Sequence, residues 1–196
     1  MADLKLTLSN IDFQNKNCFM KVKYSILTIL FLISVISSIV QAQVPAIIRL
    51  SSATDDRQFV LSKEKGKFVA LHFLLKTECP YCIRHTQDYF SKAKTLKNVV
   101  QVFIKPDSEL EIRSWSGKLA SEDLKNFPIY RDPDAQLAKQ LNIPDGYKFH
   151  NQLVHYPATI LFGPNGKEVY RYVGKNNSDR LSFEQLAARV NDLSKK

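Results

Sequence analysis

The 196-residue chain is 44% hydrophobic and 24% charged, a balance that fits one ordinary globular domain, and it carries no low-complexity tract or internal repeat. Its 28 Lys and Arg against 19 Asp and Glu give a net charge of +9. The basic residues are scattered, without runs or interleaved aromatics, so the surplus reads as solvated surface and excludes a nucleic-acid footprint, while leaving acidic partners favoured.

The first feature along the chain is a basic start, Met20-Lys21-Val22-Lys23, followed by the uncharged stretch Tyr24 to Val40 and the small-residue end Val40-Gln41-Ala42. This is the pattern of a secretory signal peptide, which predicts export to a periplasm or the extracellular medium. A signal beginning at Met20 makes residues 1–19 an extension upstream of the true start. The alternative is an uncleaved anchor facing outside the cytoplasm, the protein's one route to a membrane, although seventeen residues are just short of a comfortable span. Cleavage after Ala42 leaves Gln43 to Lys196. It removes Cys18, four Lys and two Asp, so the charge falls from +9 to +7. Two cysteines, Cys79 and Cys82, then remain in a compartment where disulfides persist.

Within residues 43–196, Lys67 to Leu75 (KFVALHFLL) reads as a central strand buried on both faces, with Gly66 as the turn before it. A helix is predicted from near Pro80 to about Lys97, with Tyr89, Phe90, Ala93 and Leu96 on one face; proline costs little in a first helical turn. Val99 to Ile104 reads as a second buried strand. Ser108 with Glu111 forms a capping-box signature for a helix over Leu110 to Leu119. A short strand follows at Phe127 to Tyr130, then a short helix at Ala135 to Leu141 and a polar loop at Pro144 to Tyr156. The last segments are a strand from Ala158 to Phe162, a Gly163-Pro164-Asn165-Gly166 turn, a returning strand from Glu168 to Val173 and a terminal helix capped by Ser182 and Gln185. Alternating strands and helices predict an α/β fold whose central mixed sheet is flanked by helices.

The stretch KTECPYCIRH, Lys76 to His85, carries the chemistry. By itself C-x-x-C serves as half a metal site, a structural clip or a redox pair. Its setting favours the last. At a strand-to-helix junction, unpaired N–H groups and partial positive charge stabilise a thiolate at Cys79. Cys82, three residues on, faces inward and is placed to resolve a mixed disulfide. A permanent disulfide across so small a loop would constrain the unfolded chain very little.

The strand, C-P-Y-C and helix, followed by Tyr156-Pro157-Ala158-Thr159 opening a strand–GPNG–strand hairpin and a terminal helix, resemble the thioredoxin fold over about residues 50–195. The strand and helix between the two halves, YRDPDAQLAKQLNI, resemble the redoxin branch, which holds peroxiredoxins and exported thioredoxin-like reductases. The resemblance implies a thiol–disulfide oxidoreductase with Cys79 as nucleophile, Cys82 as resolving thiol and Pro157 as a cis proline beside them. It further implies that Pro80, Tyr81 and Tyr156 contact substrate, Tyr156 by offering its N–H and C=O to a substrate strand. No bound cofactor is implied; electrons pass to and from protein or small-molecule thiols and disulfides, including a redox partner protein. His72, inside the central strand, is a candidate proton relay, where thioredoxins carry a buried acid. Its bland alternative is a hydrogen-bonded core histidine. Glu78 would raise the neighbouring thiol's pKa by like charge, and the Gly146–Tyr156 loop would form a substrate rim.

Two other functions compete. The peroxiredoxin motif P-x-x-x-T-x-x-C fails in both registers, since His72 and Lys76 precede Cys79, and Leu75 and Cys79 precede Cys82, at the required places. A copper site of Cys79, Cys82 and His155 would use ligands suited to that metal, against a bland reading of His155 as a partly exposed loop residue. Zinc wants four ligands, haem attachment wants a histidine where Ile83 stands, and His85 reads as a solvated helix residue.

Overall fold

The structure, a computed structural model, describes residues 47–76, 79–149 and 152–195. The upstream extension, the signal segment, Thr77 and Glu78 lie outside the described residues.

Nine strands occur among the described residues: β1 (Arg49–Ser52), β2 (Gln58–Val60), β3 (Phe68–Phe73), β4 (Val99–Lys105), β5 (Ile129–Arg131), β6 (Asp145–Phe149), β7 (Gln152–His155), β8 (Ala158–Phe162) and β9 (Glu168–Val173). Seven form one sheet in the order β2-β1-β5-β4-β3-β8-β9, and β6 and β7 form a separate hairpin. β3, β4 and β5 run parallel. β8 and β9 add an antiparallel edge on one side, β1 and β2 on the other. The expected mixed sheet is therefore present, wider than the sequence indicated.

Five α-helices accompany it among the described residues: α1 (Pro80–Lys92), α2 (Glu109–Ser116), α3 (Ser121–Asn126), α4 (Gln136–Gln140) and α5 (Phe183–Ser194). Every residue of β3 is buried, because successive side chains point to opposite faces and both faces are covered. Phe68, Ala70 and Leu74 join Tyr89 and Phe90 of α1, Trp115 of α2 and Leu186 of α5. Val69, Leu71 and Phe73 join Val102, Ile104, Ile160 and Leu137 of α4. The apolar faces of α1 and α5 pack on one side and the short α4 covers the other.

Local chemistry fixes the ends. Both capping boxes are made: Ser108 and Ser182 each accept from the N–H three residues on, and Glu111 and Gln185 reach back. α1 ends at Lys92 and tightens into a 3-10 turn, Ala93–Thr95, short of the expected Lys97, as last helical turns commonly do. In the β8–β9 turn Gly166 sits at φ 75°, a conformation a side chain disfavours. The polar loop expected over Pro144 to Tyr156 is instead the β6–β7 hairpin, whose pairing runs from Asp145–His155 to Phe149–Gln152 with one irregularity. Among the described residues no helix is long and apolar enough to cross a membrane.

Candidate active site

Cys79 is the N-cap residue of α1, in extended conformation, with Pro80 in the first turn. Its Sγ accepts from the Cys82 N–H at 3.3 Å, and its own N–H donates to Lys76 O at 3.1 Å. The sulfur thus occupies the position where a serine or aspartate would satisfy the orphan donors of a helix start. Cys82, one turn in, is fully buried and accepts from the Leu75 N–H at 3.3 Å. Both thiols are free.

A third group completes the site. Arg180, in the loop between β9 and α5, points Nη2 at both sulfurs, 3.3 Å from Cys79 Sγ and 3.2 Å from Cys82 Sγ. Its loop is tied down by Asp179, whose carboxylate accepts from the Tyr172 hydroxyl and from the Lys175 N–H. Gly174 makes this approach possible: a Cβ there would lie 2.0 Å from Asp179 O and 2.9 Å from Pro157 Cγ. Beneath the pair, the fully buried Lys105 donates from Nζ to Leu75 O at 2.5 Å and meets Asp107 Oδ2 at 3.2 Å.

These contacts separate the two thiols. The hydrogen bond from the Cys82 side chain, the charge of Arg180 and the Cys82 N–H pull Cys79 down to about 6 from 9.0, against desolvation. Burial first, and the hydrogen bond to Cys79 next, push Cys82 well above its ordinary value. One sulfur is a thiolate at neutral pH and half exposed; the other is a protonated, buried reserve. The lowered pKa has a stability consequence. The ionised Cys79 stabilises the reduced fold fully above pH 9, and that contribution is lost as pH falls through about 6. Thermal melts of the reduced protein and of Cys79→Ser should converge below pH 6 and separate toward pH 9.

The chain's sequence matches the redoxin family model over residues 39–188. The chain belongs to the redoxin family. With the geometry above, this redoxin is in the class of thioredoxin-like thiol–disulfide oxidoreductases. Solved structures agree on the fold. The exposed lipoprotein thioredoxin of Streptococcus pneumoniae is 21% identical, covers 74% of this chain and 98% of its own, and superposes with a TM-score of 0.58. A secreted Mycobacterium tuberculosis disulfide oxidoreductase is 19% identical, with 77% and 99% coverage and a TM-score of 0.55. The bacterioferritin comigratory protein of Xanthomonas campestris is 16% identical, with 76% and 91% coverage and a TM-score of 0.57. Comparison with curated proteins returns no match.

Several expected residues behave differently in this redoxin. The Tyr156–Pro157 bond is not cis; no described peptide bond is. The Tyr156 N–H is engaged within the chain, donating to Pro144 O at 3.0 Å, while its carbonyl accepts from His155 Nδ1 at 2.7 Å and keeps a second lone pair. Pro157 still borders Arg180, across a cavity of about 10 Å³ that both line, room for about one water. Its carbonyl accepts from Gly174.

His72 is fully buried, with Nδ1 3.2 Å from Thr159 Oγ1 and Nε2 2.8 Å from Gln101 Oε1. Gln101 Oε1 only accepts, so Nε2 carries the proton, and burial lowers the ring's pKa to about 4. Among the described residues no hydrogen bond joins it to either sulfur, so the geometry is that of a core histidine rather than of a relay. His85 is half-buried rather than freely solvated: it packs on Tyr89 and His72 at 4.6 and 5.6 Å between ring centroids. His155 is not an exposed loop residue but a buried strand residue. Among the described residues no three His, Cys, Asp or Glu side chains could hold a metal ion together, so the Cys79–Cys82–His155 copper set is not assembled. Pro80 is exposed, and Tyr81 is half-buried with the Arg84 guanidinium 4.9 Å above its ring.

Sequence reasoning missed Arg180, Lys105 and Asp107. Arg180 lies 98 residues after Cys82 in a polar loop with no local signal. Lys105 was legible as an anomaly, a lysine ending an apolar strand.

Proposed function

We propose that this redoxin is an exported enzyme that exchanges disulfides through Cys79 and Cys82. The observation that carries the reading is the single guanidinium bridging one low-pKa, half-exposed sulfur and one buried sulfur. The Cys79 thiolate attacks a substrate disulfide, forming a mixed disulfide and releasing one substrate thiolate. Cys82 then gives up its proton and attacks Cys79 Sγ, releasing the second. Two electrons pass from the protein dithiol to the substrate, which leaves as two thiols once protonated; the reverse sequence oxidises a substrate dithiol. Pro80 and Tyr81, on the rim beside Cys79, are the substrate-facing residues. Pro157 borders Arg180 rather than presenting a strand edge.

Export rests on the Met20–Ala42 pattern, and two proteins of similar structure, an exposed lipoprotein and a secreted oxidoreductase, are in keeping with it. A mass spectrum of the mature protein should begin at Gln43; a mass that includes Met1 would refute the signal.

The deciding experiment is equilibration of the protein in glutathione buffers with trapping of free thiols. A reversible midpoint within about −270 to −120 mV is expected, and a pair that never closes, or never opens, would remove the proposal. Cys82→Ser should accumulate a glutathione mixed disulfide on Cys79.

A further inference from the structure

A second cavity, of about 220 Å³, is lined in part by Lys76, three residues before Cys79. Its walls come from separate parts of the fold: Lys76 from the segment after β3, Asp134, Ala135 and Lys139 from around α4, and Asp145 and His155 from the β6–β7 hairpin. Lys76 ties the cavity to the nucleophile, since its carbonyl accepts from the Cys79 N–H at 3.1 Å. Pockets of this kind hold small ligands through a few placed polar groups.

Three features indicate a built site rather than a gap between loops. Asp134 and Ala135 are consecutive non-glycine residues in the left-handed region, at φ 55° and 53°. That strain persists where the surroundings enforce it. They are enforced here by Asp132, whose buried carboxylate accepts from the Leu137 and Ala138 N–H groups at 2.8 and 3.0 Å. The second feature is His155, only 4% exposed. Its Nδ1–H is spent on Tyr156 O, which leaves Nε2 an acceptor, and it meets no partner among the described residues. The third is charge. Lys76 and Lys139 line the same cavity as Asp134 and Asp145, and the ion pairs found among the described residues include none of Asp134, Lys139 and Asp145.

Balanced charges of both signs around one cavity suit a ligand that itself carries both signs. The geometry points to a binding site for a short zwitterionic peptide thiol or disulfide, held with its carboxylate toward Lys139, its ammonium toward Asp134 and Asp145, and its sulfur toward Cys79. This rests on the disulfide-exchange reading above and names its small-molecule substrate class. The chemistry is the same exchange: the peptide disulfide takes two electrons from the Cys79–Cys82 dithiol and leaves as two peptide thiols bearing its two protons.

S-methylglutathione, a zwitterionic peptide that cannot exchange, separates binding from redox chemistry. Calorimetric titration of the protein should show saturable binding, weakened at least fivefold by Lys139→Glu and also by Asp145→Lys. Simple attraction of an anion predicts the opposite for Asp145→Lys, which would then bind tighter, and that result overturns the assignment, as does absence of binding. In exchange assays, the ratio of rate constants for glutathione disulfide and for uncharged hydroxyethyl disulfide should fall at least fivefold in each variant; an unchanged ratio also overturns it. Binding without exchange of either disulfide would sink the redox reading while leaving the cavity assignment standing.

Discussion

Replacing Arg180 by methionine should move the ionisation of Cys79 upward from about 6 and slow disulfide exchange about tenfold at pH 6, with the difference disappearing above pH 9. The guanidinium donates to both sulfurs, and a hydrogen bond to a charged group contributes about 1.5–3 kcal/mol, where 1.4 kcal/mol is a factor of ten. At pH 6 the native Cys79 is about half ionised, so any loss of thiolate stabilisation there appears directly as lost rate. At high pH both proteins are fully thiolate and the effect vanishes. A purely structural role would slow exchange equally at every pH. The second sulfur doubles the consequence, because Cys82 must lose its proton to resolve the mixed disulfide, and burial opposes that. Arg180→Lys should restore the charge but, on a shorter side chain, not the placement of one nitrogen within 3.3 Å of both sulfurs, giving partial rescue. The measurement is the rate–pH profile of exchange together with thiolate absorbance. A profile that keeps its midpoint would remove Arg180 from the site's chemistry.

Lys105→Met should lower the unfolding free energy by about 3–5 kcal/mol, a large share of a typical stability of about 5–15 kcal/mol. Lys105 has no exposed surface, and its side-chain partner Asp107 Oδ2 is 3.2 Å away with 2% exposure. The ammonium also lies 4.5 Å from the Trp115 ring centroid. Removing the cation alone takes this ion pair from a buried carboxylate, which costs more than the pair contributed. Lys105→Met with Asp107→Leu should therefore recover most of the loss. Leu75 relays the effect to the site: its carbonyl is held by Lys105 Nζ and its N–H holds Cys82 Sγ. Urea denaturation reads the stabilities, and a single-variant loss below about 1 kcal/mol would show that the pair is hydrated.

Gly174→Ala offers a third check on the site's architecture. The added methyl would meet Asp179 O and Pro157, so the loop must shift and take Arg180 with it. Exchange should then show the same upward-shifted pH profile as Arg180→Met, by displacement rather than by deletion.

The sequence by itself determined the parts of this protein whose causes are local. β8 and β9 stand where the apolar run ATILF and the Gly-Pro-Asn-Gly turn put them. The two capping boxes start α2 and α5, and Cys79 occupies a helix N-terminus because Pro80 can only open a helix there. Strand β3 was legible because a segment buried on both faces is apolar throughout. What only the tertiary structure decided depends on contacts between segments far apart in the chain. β1 and β2 are four and three residues long, too short for a periodic signal, and exist because β1 pairs with β5 and β2 pairs with β1. The β6–β7 hairpin looked polar because hairpin pairing needs backbone hydrogen bonds and no apolar face, and the chain segment just before it engages the Tyr156 N–H. Arg180 reaches the sulfurs only because Gly174 lets its loop collapse onto Pro157. Lys105 is hidden because a strand's period says which face a side chain takes, but not what waits on that face to neutralise its charge.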